Sequence, residues 1–226
     1  MLTGKTALLL DMNGTFMFGE DRFGDSEDFS AHYYKIGGKL PQSEINKIVR
    51  DAYQYLDVRY TDENYRQNFP SLESAIFEVT GITLDRDEIN KIIATFAFHE
   101  LGYIPKEYAA ALYKLRLRFT LAVVIDIWAP KAAWLNEFKR AGISHLFSAF
   151  SFSSDHGMVK PSPKPFELVL NQLGIDASNA VVVGDSPRRD LGGAKNAGID
   201  CILVGGAEHP NAMWSISNLL ELCHVH

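Results

Sequence analysis

Five short segments, Ala7 to Leu10, Leu121 to Ile127, Phe147 to Phe152, Ala180 to Val183 and Cys201 to Val204, are largely apolar along their length instead of alternating with polar residues. A strand with one face in water alternates. A strand that is apolar throughout has both faces covered, which is the condition of a parallel sheet between two layers of helices. Helical patterns lie between the last four segments. Trp134, Leu135 and Phe138 lead to Gly142; Phe166, Val169, Leu170 and Leu173 lead to Gly174; Leu191 and Ala194 lead to Gly198. A glycine after an apolar stripe is the expected helix stop, because it enters the left-handed region without steric cost. This alternation predicts an α/β fold on a doubly wound parallel sheet.

The stretch from Phe16 to Leu101 has helical stripes and no convincing strand. Ser43 is a candidate cap for a helix with Ile45, Ile48, Val49, Ala52 and Leu56 on one face. Ser71 begins a second with Leu72, Ala75, Ile76 and Val79, closed by Gly81, and Asp85 with Glu88 begins a third carrying Ile89, Ile92, Ile93 and Phe96. Pro105 is expected at the first position of a helix running through Leu112 and Leu115. The predicted organisation is an α/β core of residues 1–15 and 102–226 with an inserted all-helical cap of residues 16–101. A chain of 226 residues suits one main domain with a smaller insertion.

A net charge of −6 argues against nucleic acid or an anionic membrane surface as partner. No segment reaches the roughly 20 apolar residues that cross a bilayer, and the start of the chain lacks the pattern of a secretory signal. The expected location is the cytoplasm, and the expected state a monomer or homodimer. Cys201 and Cys223 have no metal-ligand spacing, and Cys201 lies in an apolar run.

In an open α/β sheet, ligands bind beyond the carboxyl ends of the strands. Asp11 follows the first apolar run and opens Asp11-Met12-Asn13-Gly14-Thr15, where the glycine permits a sharp turn. A carboxylate there can attack phosphorus while turn amides hold phosphoryl oxygens; by itself the stretch also reads as a turn or a helix cap. Val183-Gly184-Asp185-Ser186-Pro187-Arg188-Arg189-Asp190 follows the fourth run, and Asp185 and Asp190 supply hard oxygen ligands of the kind Mg²⁺ prefers. Asp190 alone is also a helix cap. Lys160, in Val159-Lys160-Pro161-Ser162-Pro163, is a compact positive charge between the third run and the next helix; its position is what distinguishes it from a surface lysine.

Together these three stretches, with Gly193-Ala194-Lys195-Asn196-Ala197-Gly198 after them, resemble motifs one, three and four of the haloacid dehalogenase (HAD) superfamily. The resemblance extends over the whole chain, with the helical insert in place of that family's first-type cap. It implies a Rossmann-like core, Mg²⁺ as cofactor and a small phosphorylated metabolite as substrate. It further implies Asp11 as nucleophile, Lys160 as balancing charge, Gly14 at the phosphate, and Asp11, Asn13 (by its backbone carbonyl), Asp185 and Asp190 at the metal.

Two positions depart from the family pattern. Asn13 stands where relatives carry a second aspartate, the general acid and base, and an amide cannot exchange that proton; such help is worth roughly 10²–10⁴-fold. At the end of the second run, where relatives carry Ser or Thr, the chain has Ile125 and then Asp126, neither of which donates a side-chain hydrogen bond to phosphate. The leading expectation is therefore a phosphatase of reduced or specialised turnover. The alternatives are a non-catalytic phosphate or metabolite binder and a carbon–phosphorus hydrolase using Lys35, Lys39 or Lys47. His32, Tyr33, Tyr34 and the Gly37-Gly38-Lys39 turn face either the site or the cap packing, and Arg188 and Arg189 either help to hold an anion or, the leading reading, form a solvated loop.

Overall fold

The computed structural model describes residues 2–81 and 84–224. In chain order its elements are β1 (Ala7–Leu10), α1 (Ser30–Lys35), α2 (Gln42–Tyr60), α3 (Leu72–Thr80), α4 (Arg86–Glu100), α5 (Lys106–Arg116), β2 (Thr120–Ile125), α6 (Ala132–Arg140), β3 (Phe147–Phe152), α7 (Ser153–His156), α8 (Lys164–Leu173), β4 (Ala180–Gly184), α9 (Gly192–Asn196), β5 (Asp200–Leu203) and β6 (Trp214–Ser215). The strands form one parallel sheet in the order β3-β2-β1-β4-β5-β6. Leu10 is in register with Val123 on one side and Val183 on the other, so the ends of β1, β2 and β4 come level.

The continuous apolar character has a direct cause. Leu8, Leu10, Val123, Val181 and Val183 face a core shared with Leu112, Trp134, Phe138 and the helices of the insert. Ala7, Leu9, Ala122, Val124 and Val182 face a second core, built against Phe166, Val169 and Ala194. Burial on both faces leaves no position for a polar residue until the strand ends, and polar chemistry therefore gathers there. The direction of winding reverses between β1 and β4, which opens a crevice beyond their carboxyl ends.

The insert is helical, comprising α1 to α4. Ser71 accepts a hydrogen bond from Ser74 N at 3.1 Å and Asp85 from Glu88 N at 2.8 Å, and Gly81 ends α3 at φ 60°. Residues 82 and 83, within the expected cap, lie outside the described residues. Ser43 does not cap α2: Pro41 holds the entry at φ −56°, and Ser43 falls inside the first turn. Pro105 sits one position before α5, in extended backbone, where its missing N–H costs nothing. The short α1 and the two-residue β6 have too few residues to show a period.

Candidate active site at the switch point

Asp11 is the first residue beyond β1, and its N–H donates to Val183 O of the neighbouring strand at 2.8 Å, which fixes the backbone at the crevice. The chain then turns sharply. The Met12 carbonyl accepts from the N–H groups of Thr15, Phe16 and Met17, and Gly14 N donates to Met17 O at 3.0 Å. These four amides close the turn on itself, which removes them from the donors expected to face a phosphoryl group. Gly14 has φ 68°, and a Cβ there would run into the Asp185 carboxylate, so only glycine lets the turn lie against β4's end.

Lys160 Nζ lies 2.5 Å from Asp11 Oδ1, 2.7 Å from Asp190 Oδ1 and 3.3 Å from the Val124 carbonyl. All three side chains are buried. Burial pushes the Asp11 carboxyl up to about 7, against the pull of Lys160 and with Asp190 and Asp185 adding to the rise. Burial also works to discharge Lys160, but Asp11, Asp190 and Asp126 outweigh it and hold its ammonium well above the ordinary lysine range. The carboxylates of Asp11, Asp185 and Asp190 each present an oxygen within 4.8 Å of the others. Asp190 is further held by Ser186 N at 3.0 Å, whereas Asp185 Oδ1 is sealed and without a partner. Burial, then Asp190, raises the Asp185 carboxyl above its ordinary value. Three hard anionic donors, one with an orphaned oxygen, fit a small divalent cation such as Mg²⁺.

The structure thus brings Asp11, Lys160, Asp185 and Asp190 together. Asn13 lies beside them, its side-chain oxygen buried and unpartnered. Ile125 and Asp126 part company: Ile125 is packed in the core, while Asp126 points to the cleft. Asp126 Oδ2 accepts from Tyr60 Oη at 2.6 Å and from Lys160 N at 3.0 Å.

Between this cluster and the insert lies a cavity of about 130 Å³. Its lining on the core side is Asn13, Asp126, Trp128 and Arg189, and on the other side Asp21, Tyr53, Asp57, Tyr60 and Glu100. Arg189, weighed from sequence as an anion holder or a solvated loop, reaches Tyr60 Oη at 3.4 Å; burial would lower it, but Tyr60, Asp11 and Asp190 hold its guanidinium charged. Glu100 is buried and accepts from Trp128 N at 2.6 Å and Ala129 N at 2.8 Å, yet burial still pushes its carboxyl up to about 8. Tyr60, Trp128 and Glu100 were not legible as site residues. One signal was available for Glu100: an acid at a helix C-terminus opposes the helix dipole and needs another partner.

The insert's other candidates do not line this cavity. Tyr33 is buried and its hydroxyl accepts from Lys39 N and Leu40 N, both at 3.1 Å, while His32 stacks on Phe98. Lys35, Lys39 and Lys47 are exposed, and among the described residues no lysine lines the cavity.

The fold is of the Rossmann-like α/β class, and its buried cluster of charged groups lies where that class binds ligands. The family model for haloacid dehalogenase-like hydrolases matches residues 42–204, and the chain belongs to that family. It is 38% identical over 169 residues to a glyceraldehyde 3-phosphate phosphatase from Methanothermobacter thermautotrophicus, covering 74% of this chain and 71% of that one. A phosphoserine phosphatase from Thermus thermophilus is 36% identical over 70 residues, covering 31% of this chain and only 28% of that protein. In fold the chain is similar to a 2-haloacid dehalogenase from Pseudomonas syringae pv. Tomato DC3000, with TM-score 0.65, 23% identity and 97% of each chain covered. No helix of the described residues is long and apolar enough to cross a membrane.

Proposed function

We propose that the protein is a Mg²⁺-dependent phosphatase of a small phosphorylated metabolite, acting through an aspartyl-phosphate on Asp11, with turnover reduced or specialised by Asn13. The observation that carries this reading is Lys160 Nζ bridging Asp11 and Asp190 at the switch point, beside Asp185. The relatives named as phosphatases support it. Residues 1–15 and 102–226 form the catalytic core in this reading, and residues 16–101 the cap that selects substrate. The cytoplasm and a monomer or homodimer remain the proposed setting.

Lys160 pulls Asp11 toward its ionised form against the burial that raises its carboxyl to about 7, and offsets the charge of an approaching phosphoryl group. Asp11, Asp185 and Asp190, with the Asn13 backbone carbonyl, would hold Mg²⁺, which when bound supplies positive charge to the phosphoryl oxygens. An Asp11 oxygen forms the new bond to phosphorus as the ester P–O bond breaks, and the leaving oxygen keeps the electron pair. Asn13 cannot give that oxygen a proton, so water does. A second water then hydrolyses the aspartyl-phosphate, releasing inorganic phosphate and restoring Asp11. Both steps lose general acid–base help, which favours esters with good leaving groups.

Phosphate release from a panel of phosphomonoesters with Mg²⁺ tests the reading. Activity in the natural chain, its loss in Asp11→Ala and its rise in Asn13→Asp are expected. Silence in the natural chain and in Asn13→Asp, with ligand binding retained, favours the non-catalytic binder, the second reading that Asn13 itself motivates.

A further inference from the structure

The cavity between the switch point and the insert is electrostatically lopsided. Four carboxyl groups line it, from Asp21, Asp57, Glu100 and Asp126, against the single guanidinium of Arg189. Arg189 spans the two ends: Tyr60, then Asp11 and Asp190, hold it charged, and its charge also opposes the rise of the Asp21 carboxyl. Lys160 is consumed by Asp11 and Asp190. The far end therefore has more acids than the shared Arg189 can offset. The Tyr53 hydroxyl marks where they converge: burial, then Asp57, Asp21 and Glu100, hold it above the ordinary phenol range.

Two further observations separate this from a solvated acidic patch. Asp126 Oδ1 is sealed from solvent and has no hydrogen-bond partner, although Oδ2 of the same carboxyl has two. The walls are aromatic as well as acidic, with the Trp128 ring 5.2 Å from Tyr53 and 5.7 Å from Tyr60. Ring faces beside carboxylates, in a space of about 130 Å³, suit a small organic cation and repel an anion.

Resting on the phosphatase reading, we propose that the substrate is the phosphate monoester of a small amino alcohol, its ammonium group seated between Trp128, Tyr53 and the carboxylates of Asp57 and Asp21. The ester oxygen then points toward Asp11, and hydrolysis consumes one water to give the amino alcohol and inorganic phosphate. The anionic end of a phosphorylated acid meets four carboxyl groups here against one guanidinium.

The test compares 2-aminoethyl phosphate, ethyl phosphate and 2-phosphoglycolate, which are close in size and differ in charge, using the full chain with Mg²⁺. The expected kcat/KM for 2-aminoethyl phosphate exceeds that for ethyl phosphate by about tenfold or more, with 2-phosphoglycolate poorest. Asp57→Asn, on a partly exposed helix position and checked for fold by circular dichroism, is expected to cut the aminoethyl-to-ethyl ratio several-fold. Equal rates, or preference for 2-phosphoglycolate, overturn the proposal. If no ester is hydrolysed, the phosphatase reading fails, and calorimetric binding of the same three esters to Asp11→Asn decides the amine question alone. Tightest binding of 2-aminoethyl phosphate sustains it; equal, weaker or no binding overturns it.

Discussion

Lys160 Nζ lies 2.5 Å from Asp11 Oδ1, across 149 positions of sequence, with both side chains buried. Folding has to bring β1 and the segment after β3 together before either charge gains its partner. Replacing the ammonium by an apolar chain of similar length, Lys160→Met, leaves Asp11 and Asp190 facing each other without compensation. Removing one member of a buried pair costs roughly 3–5 kcal/mol, or on the order of 10 °C in melting temperature for a chain of this size. Thermal melts without Mg²⁺ should show that drop, together with loss of phosphate release. An unchanged melting temperature would mean that the ion pair is not what holds this end of the sheet.

Asn13→Asp restores a group able to exchange a proton beside Asp11. The buried, unpartnered Asn13 side-chain oxygen shows that a carboxylate oxygen has room there. Phosphate release is expected to rise by about 10²-fold or more, most for esters with poor leaving groups. The variant should also lose some stability without Mg²⁺, because it adds a fourth acid to the cluster of Asp11, Asp185 and Asp190. A rate no higher than that of the natural chain would point to a site built to bind.

The strands and the four charged residues of the switch point could be read in the sequence because both follow from one constraint. Burial on both faces excludes polar groups from β1, β2 and β4, so Asp11, Asp126 and Asp185 stand out at the first places where polarity is tolerated. The other wall of the cavity had no such contrast. Tyr60 closes α2 in a stripe that reads as ordinary packing, Glu100 closes α4 as a lone acid outside any motif, and Arg189 sits in a polar loop. Their convergence depends on how the insert lies over the sheet, which helical periodicity does not encode. The same limit applies to Ile125 and Asp126, where sequence left the choice open and the strand end settled which one faces the cleft.

Gly14→Ala tests how the turn after β1 and the acid after β4 are coupled. At φ 68° the added Cβ is strained, and it meets the Asp185 carboxylate directly. The expected loss is about 1–3 kcal/mol of stability, from the strain of a non-glycine residue in the left-handed region. Displacing Asp185 should also shrink the rise in melting temperature that Mg²⁺ gives the natural chain. A variant with the full Mg²⁺ shift would show that Asp185 does not help hold the ion.

His99 supplies a pH dependence separate from the site chemistry. Its ring is buried, with neither nitrogen hydrogen-bonded, edge-on to Phe29 at 4.7 Å; Glu27 Oε2 is 3.8 Å from Nδ1. Burial, then the Arg22 charge, holds its pKa below the usual 6.5, with Glu27 opposing. The sign follows from proton counting. Below about pH 6.5 the unfolded chain binds a proton that the folded chain resists, so this contribution to stability is complete above that pH and declines as pH falls. The decline is at most about 1.4 kcal/mol per pH unit for one proton. His99→Leu keeps an apolar group in the pocket and removes the titration. Urea denaturation at pH 7 and pH 5 should show a smaller loss on acidification in the variant than in the natural chain. Parallel losses in the two proteins would mean that His99 takes its proton in the folded state as readily as in the unfolded chain.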